Sequence, residues 1–437
     1  MTVAPSATRE SLARHFPRGE HLLRSTLFLA TFLAVWVTAS PFPDPSDPVT
    51  LEATNNGNLR GQIIAILLTS ALALFAVVNK LRVLRRVVTP ILVLIFVWFA
   101  CTALLSAYPG LAVRRLVLAG FVIFQAAMLV FLPEDRLHFA RLLALGAVLI
   151  LILCWGGVLV APHLSIHQST DLAEPQLAGN WRGLFAHKNG AGECMGLLII
   201  FGIYIARRLN AVLGAGIVVF AGLFLFFTDS KSPMMLLPLA LMFGVLFVWV
   251  RKPVAKLIVL LSVPLIIGAL TIGSVEVPAL NTLVGQMPDP TFTGRSVIWQ
   301  FALDHIAERP IVGFGYEAFW QTEELVSSWT WLESWGFRAS DAHNGFLNIA
   351  VTTGLVGLVL ALGWLLVRPF IDHVRTSPGS VDSALNLMFI QIWLFGIYLC
   401  GFESELFRNG SALWFMMAVS IIALRVQATA DHGTEAR

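Results

Sequence analysis

Twelve apolar stretches punctuate the chain, separated by short polar breaks. They lie near 22–40, 61–79, 89–107, 115–132, 142–161, 191–206, 210–228, 233–250, 254–273, 344–366, 383–401 and 411–427. A helix of about 20 apolar residues crosses the hydrocarbon core of a bilayer, so the pattern predicts about twelve transmembrane helices. The runs at 191–206 and 210–228 are split only by Arg207-Arg208-Leu209-Asn210, which predicts a tight hairpin. One break differs from the rest: residues 274–343 are too short for a large domain and too patterned for a linker. Here Val297, Ile298, Phe301, Ala302 and Ile306 share one side of the stretch from Ser296 to Glu308, with Asp304 and Glu308 elsewhere. That predicts an amphipathic helix lying on or in the membrane interface. Thr293 is its expected cap and Pro310 its end. Gly313 and Gly315 are expected to make a flexible turn, and Trp320, Trp329, Trp331 and Trp335 a lid resting on headgroups or glycan.

The organisation predicted is a tail (1–21), nine transmembrane helices (22–273), an external loop (274–343), three more helices (344–427) and a second tail (428–437). Composition agrees, with 57% hydrophobic and 13% charged residues. The expected class is an all-α polytopic membrane protein, not a soluble globule. No cleavable signal peptide is expected, because the first apolar run is long and no small-residue cleavage site follows it.

Orientation follows from the basic residues. With the amino terminus inside, the cytoplasmic segments hold nineteen of the 29 Lys and Arg residues. The outside keeps Arg60, Arg114, Arg115, Arg182, Lys188, Lys231, Arg295, Arg309, Arg338 and Arg408. Both termini are then cytoplasmic and the 274–343 loop external. The net charge of +3 is spread over basic cytoplasmic loops and needs no nucleic-acid partner. Cys101, Cys154, Cys194 and Cys400 sit in or beside apolar runs without metal-ligand spacing, and read as buried small hydrophobes.

Within so apolar a chain the external polar residues are the candidate chemistry. Gly179–Gly190 is a Gly-flanked basic stretch, with Arg182 and Lys188, ahead of an apolar helix. Free N–H groups and the helix dipole suit such a place to an anion. Glu193 lies inside that helix, where an unpaired charge is costly, and is expected to pair with an Arg or Lys of the cavity. Lys231 occupies the turn Thr228–Pro233. Arg114 and Arg115 read either as snorkelling side chains or as contacts to an anionic lipid or phosphate. Arg182, Lys188, Lys231, Arg295 and His343, with Arg114 and Arg115 as outer candidates, would suit a diphosphate: Arg grips phosphate oxygens in pairs, Lys as a point charge. His343 is the natural general base. No Asp-x-Asp occurs in the external segments and no His pair has zinc spacing, so neither a metal nor another cofactor is implied.

These residues carry a resemblance. His343-Asn344, nine residues, Gly354, two residues and Gly357 match a pattern of the O-antigen ligase and polysaccharide polymerase superfamily of bacterial inner-membrane proteins. Thr293-Gly294-Arg295, Trp299, Pro310 and Gly313-Phe314-Gly315 resemble a second signature, and Asn180–Asn189 is similar to a stretch of exopolysaccharide polymerases. The resemblance covers roughly 175–360; Lys231 stands where many relatives carry Arg. It implies a metal-independent, inverting glycosyltransferase. The donor would be a glycan on a polyprenyl diphosphate, and the acceptor a lipid-linked glycan or a lipid A core. Arg295 and Arg182 would hold the diphosphate, with Lys188 and Lys231 in support, and His343 with Asn344 would serve the acceptor. Membrane lipids and other polysaccharide-export proteins are the further partners implied. Polymerase is the first reading and ligase the second. A transporter or flippase is the reading from another class, disfavoured because no inverted repeat is visible.

Overall fold

The computed structural model describes residues 18–47, 59–79, 82–172, 174–320, 322, 339–376 and 382–435. Trp329, Trp331 and Trp335 of the expected lid, and residues 1–17 of the expected tail, lie outside them. Helices of more than eight residues are labelled α1 to α13. They are α1 Arg18–Trp36, α2 Leu59–Val78, α3 Pro90–Leu104, α4 Pro109–Phe131, α5 Arg136–Val160, α6 Lys188–Arg208 and α7 Ala211–Thr228. Then come α8 Lys231–Trp249, α9 Pro253–Leu270, α10 Arg295–Glu308, α11 Gly345–Leu362, α12 Ser383–Leu399 and α13 Ala412–Glu435. A π-turn, Gly363–Val367, carries α11 into a final helical stretch, Arg368–Arg375.

Each of the twelve apolar runs falls on one helix, α10 being the helix of the external loop. Among the described residues nine helices are long and apolar enough to cross a membrane. Of the other three, α3 and α12 are shorter, and α1 opens with Arg18, Glu20 and Arg24. No strand occurs among the described residues; Ile166 and Trp181 make one isolated bridge. The protein is an all-α polytopic membrane protein.

Burial sorts the helices. α6 is buried over most of its length, as is the matching part of α13, whereas α2 turns most of its apolar side chains outward. In lipid, apolar surface alone gives little drive for helices to associate, so close packing must supply it. The α6–α7 hairpin does this with glycine. A Cβ on Gly214 would lie 2.3 Å from the Ala206 backbone nitrogen and 2.5 Å from the Gly202 carbonyl oxygen.

Polar groups gather at the two ends of the bundle. At one end Asp372 takes Arg368 and Arg425, each at 2.9 Å, and Asp382 takes Arg208. At the other end, where α6, α8, α10, α11 and α13 begin, lies a large cavity.

α11 is broken next to that cavity. Gly354 has φ 71° and ψ 177°, so the carbonyls before it lose their helical partners. The chain at 310–315 inserts there. Phe314 N–H donates to the Val351 carbonyl, Gly315 N–H to Thr352, Trp98 Nε1 to Thr353, and Leu355 N–H to the Pro310 carbonyl. Non-helical backbone at membrane depth is tolerated when protein satisfies it in this way. Gly313 and Gly315 therefore form an anchored turn rather than a flexible one.

α10 also differs from expectation. Its apolar face, Ile298, Trp299, Phe301 and Ala302, packs on Phe319, Trp320, Ala339, Ala342, Leu347 and Val351 rather than on lipid. Trp320 is buried and donates from Nε1 to Asn348 Oδ1 at 2.7 Å, so it rests on no headgroup. The helix is capped by Gly294 at φ 82°, without help from the Thr293 side chain.

Candidate active site

Three helix starts that open into one cavity each have a cation as their first residue. Lys188 is the first residue of α6, Lys231 of α8 and Arg295 of α10. His343 lies just ahead of α11. These four residues, with Arg114, Arg115 and Glu193, line a cavity of about 3170 Å³. The unpaired N–H groups of three helix starts make it electropositive before any side chain is counted.

Local sequence explains each start. His187 caps α6, its Nδ1 accepting from Asn189 N–H at 3.1 Å while Nε2 meets Glu174 at 2.9 Å. Asp229 takes a left-handed conformation, φ 47°, which turns the chain from α7 into α8 within two residues. Lys188 Nζ donates to the Asp229 carbonyl at 2.9 Å and lies 3.5 Å from its carboxylate. Ahead of α10, Asp289 accepts from the N–H and hydroxyl groups of Thr291 and Thr293, which folds the turn that delivers Arg295.

The hub is Glu403, in the loop between α12 and α13. Its Oε1 accepts from Arg295 Nη2 at 2.8 Å and from Asn189 Nδ2 at 3.0 Å. Asn189 Oδ1 in turn accepts from the hydroxyl of Ser230, the residue before Lys231, at 3.2 Å. One carboxylate thus connects the starts of α6, α8 and α10. The other oxygen, Oε2, lies 3.6 Å from His343 Nδ1. Asp341 accepts the His343 N–H at 2.9 Å, and Arg408 bridges Asp341 and Glu405 at 3.3 and 3.2 Å.

These contacts set the charges. Burial alone would raise the Glu403 carboxyl, but Arg295 and His343 outweigh it and hold the pKa at about 2. Burial works against a charged His343, yet Asp341 and Glu403 more than offset this and lift its pKa above the ordinary value. Glu405 is pushed up by burial, which Arg408 only partly offsets.

Two expected site residues lie off the cavity lining. Arg182 is wholly buried and donates to the Pro43 carbonyl at 2.8 Å, while its N–H donates to Ser165, so it fastens loops together. Asn344 is a buried cap: its Oδ1 accepts from Phe346 and Leu347 N–H, and its Nδ2 donates to the Gly401 carbonyl. Glu193 lines the cavity but has no ion pair among the described residues, against the expectation that it meets an Arg or Lys. Its cavity neighbours include other acids, since Glu317, Asp341, Glu403 and Glu405 share the lining. Arg115 donates to the Glu317 carbonyl, and Arg114 is exposed.

That acidic set was not expected. Its members are far apart in sequence, and only the run Glu403-Ser404-Glu405-Leu406-Phe407-Arg408, a dense patch between two apolar stretches, is visible as a local signal. Among the described residues no three of these acids bring ligand atoms together as a metal site would.

Fold and cavity define a polytopic α-helical membrane protein with a polar, mixed-charge site at one end of its bundle. Residues 216–362, from α7 through α11, match the sequence model of a family described as O-antigen ligase. The chain is also 28% identical over 207 residues to the Exopolysaccharide production protein ExoQ of Rhizobium meliloti (strain 1021). That similarity covers 44% of this chain and spans about half, 46%, of the relative's length. The resemblance to the O-antigen ligase and polysaccharide polymerase superfamily is borne out by both matches.

Proposed function

We propose that the protein is a metal-independent glycosyltransferase that joins glycan units carried on a polyprenyl diphosphate, working at the periplasmic face of the inner membrane. One observation carries this reading: Lys188, Lys231 and Arg295 each head a helix, and Glu403 links those three starts beside His343. A diphosphate leaving group needs fixed N–H groups and cations where its charge develops. Arg295, Lys188 and Lys231 supply the cations, and Arg114 and Arg115 extend them along the cavity wall. Arg182 plays its part through the loops it fastens, and Asn344 by setting His343 at the mouth of α11.

In the step itself the acceptor hydroxyl oxygen bonds to the anomeric carbon as the bond from that carbon to the diphosphate breaks. The bonding pair leaves with the phosphate, and the hydroxyl proton passes to His343. Glu403 and Asp341 stabilise the imidazolium that results. A single displacement of this kind inverts the anomeric centre.

Polymerisation of lipid-linked repeat units is the first reading, supported by a relative named for exopolysaccharide production. Transfer of a finished glycan to a lipid A core or another acceptor is the second, favoured by the family's description. Purified protein given a lipid-linked donor tests both. Longer lipid-linked chains mean polymerase, and transfer to an added lipid A core means ligase. Failure to transfer to either acceptor overturns the proposal. Excess EDTA should leave the rate near its starting value.

A further inference from the structure

At the end of the bundle away from the cavity, the first turn of α1 meets the turn that joins α4 to α5. His21, Glu134 and His138 each offer one ligand-type atom there, and these atoms lie within 4.8 Å of one another. His21 Nδ1 is 3.0 Å from Glu134 Oε2, and His138 Nδ1 is 4.0 Å from the same oxygen. The two imidazoles stack with centroids 4.5 Å apart. Among the described residues this is the one group of three that converges in this way. Sequence spacing hides it, because His21 and His138 come from different helices.

A plain ion pair between His21 and Glu134 leaves one atom without a partner, and a second observation fixes which nitrogen of His138 is free to act as a ligand. The atom is Glu134 Oε1, which is buried without a hydrogen-bond partner. A carboxylate oxygen left so is costly, and a cation would satisfy it. The second observation is the proton position on His138. Ser25 Oγ donates its one proton to the His21 carbonyl at 2.8 Å. Ser25 Oγ must then accept from His138 Nε2, 2.9 Å away. That places the proton of a neutral His138 on Nε2 and leaves the Nδ1 lone pair facing Glu134. Its partner there is the Glu134 N–H, at a long 3.3 Å.

We propose that His21, Glu134 and His138 form a binding site for a divalent transition-metal ion of the zinc class, separate from the cavity. Two imidazole nitrogens and one carboxylate oxygen are a ligand set that zinc takes, at about 2.0–2.2 Å. Ligand atoms around a tetrahedral ion at that range lie roughly 3.3 Å apart; the 3.0 and 4.0 Å to the carboxylate bracket that spacing, and the two imidazole atoms lie within 4.8 Å of each other. Ser25 is the outer partner that holds a metal-ligating imidazole in the right tautomer. Water completes the shell. The ion would clamp α1 to the α4–α5 turn, beside the place where Arg24 already donates to the Leu132 carbonyl. From His21 to Ala34, the first α1 residue on the cavity, the helix rises about 20 Å. The ion therefore acts on stability, not on the transfer chemistry.

The test uses the full chain, purified in detergent, stripped with chelator and titrated with Co²⁺ near neutral pH. About one equivalent should bind with the visible absorption of a tetrahedral site, and Zn²⁺ should displace it and raise the melting temperature. His21 is half-exposed, so His21→Ala should fold; it should weaken Co²⁺ binding a hundredfold or more. Ser25→Ala should weaken it roughly tenfold through the tautomer. His305→Ala, on α10, should change nothing. The proposal is overturned if the unaltered chain binds Co²⁺ no more tightly than the His21→Ala chain. A second measurement needs no variant: Zn²⁺ should protect His21 of the unaltered chain from diethylpyrocarbonate, and an unprotected His21 would equally overturn the site.

Discussion

Glu403 and Arg295 form the shortest ion pair among the described residues of the cavity lining, with Oε1 accepting from Nη2 at 2.8 Å while the second carboxylate oxygen faces His343 at 3.6 Å. One acid therefore stands between the cation proposed to hold the leaving group and the imidazole proposed to take the proton. It fixes both, and it ties their charges together.

The first prediction concerns pH. Asp341 and Glu403 raise the His343 pKa, whereas burial and Arg295 lower it. Glu403→Gln removes a raising charge, so the imidazole pKa falls. A base must be unprotonated, so the acid limb of kcat/KM should move to lower pH in the variant even as the rate drops. Transfer measured from about pH 5 to 9 checks this. An unmoved limb would uncouple Glu403 from His343.

Arg295→Lys should fare nearly as badly as Arg295→Ala. Lysine keeps the charge but loses the planar fork that serves Glu403 and a phosphate together. The expected loss in kcat/KM is roughly a hundredfold or more, the scale for one donor at a developing charge. Near-normal turnover by the Lys variant, at equal expression, would take Arg295 out of the mechanism.

Arg182 and Lys231 should separate by readout. Lys231 is exposed on the cavity and makes no ion pair among the described residues, so Lys231→Ala should weaken donor binding and leave melting almost unchanged. Arg182 is buried against Pro43, so Arg182→Met should strand that carbonyl and cost about 1–3 kcal/mol of stability. Melting curves and donor titrations on both proteins decide it. A selective loss of donor binding in Arg182→Met would return that residue to the diphosphate.

How much of this was legible in the chain depended on distance along it. Helices read well, because an apolar run of membrane length has few other places to go. Lys188, Lys231 and His343 stand out because each is a polar residue at the edge of an apolar run, and Arg295 because it opens an amphipathic stretch; the structure brings all four to one cavity. What α10 packs against did not read, because an amphipathic face looks alike whether protein or lipid covers it. Glu403 was missed as the hub because its partners Asn189, Arg295 and His343 come from distant segments. Arg182 looked like a phosphate ligand because sequence shows that a loop is basic but not which way its side chains turn.

The break in α11 gives a prediction about the scaffold. A Cβ on Gly354 would lie 1.9 Å from the Ile311 carbonyl oxygen, and φ is 71°, so no L side chain fits. Gly354→Ala should cost more than about 4 kcal/mol or prevent folding, as strain and overlap combine. Gly190→Ala is the control, since a Cβ there meets nothing within 4 Å. Comparable yield and melting for the two variants would mean that the insertion of 310–315 into α11 does not hold the site together.

His343 carries the last prediction, because a histidine at the mouth of a helix could serve as a fastener alone. Three features argue for chemistry. Its backbone is held at φ 46° by the Asp341 contact, an uncommon conformation for a non-glycine residue. Its Nδ1 is buried without a true hydrogen bond, since 3.6 Å to Glu403 and 3.9 Å to Asp341 are ion-pair distances. Its side chain still reaches the cavity, 31% exposed. A proton acceptor beside two carboxylates contributes about 10²–10⁴-fold to a transfer, while the proposed binding of a diphosphate would depend on Arg295, Lys188 and Lys231. His343→Ala should therefore cripple transfer by that factor and leave donor affinity within a few-fold of the original. His343→Gln, which keeps a polar side chain but cannot accept the proton, should fail as badly. A donor titration and a transfer assay on the same preparations decide the matter. Affinity that falls in step with transfer, or a Gln variant that recovers most of the rate, would make His343 a positioning residue and move the proton elsewhere in the cavity.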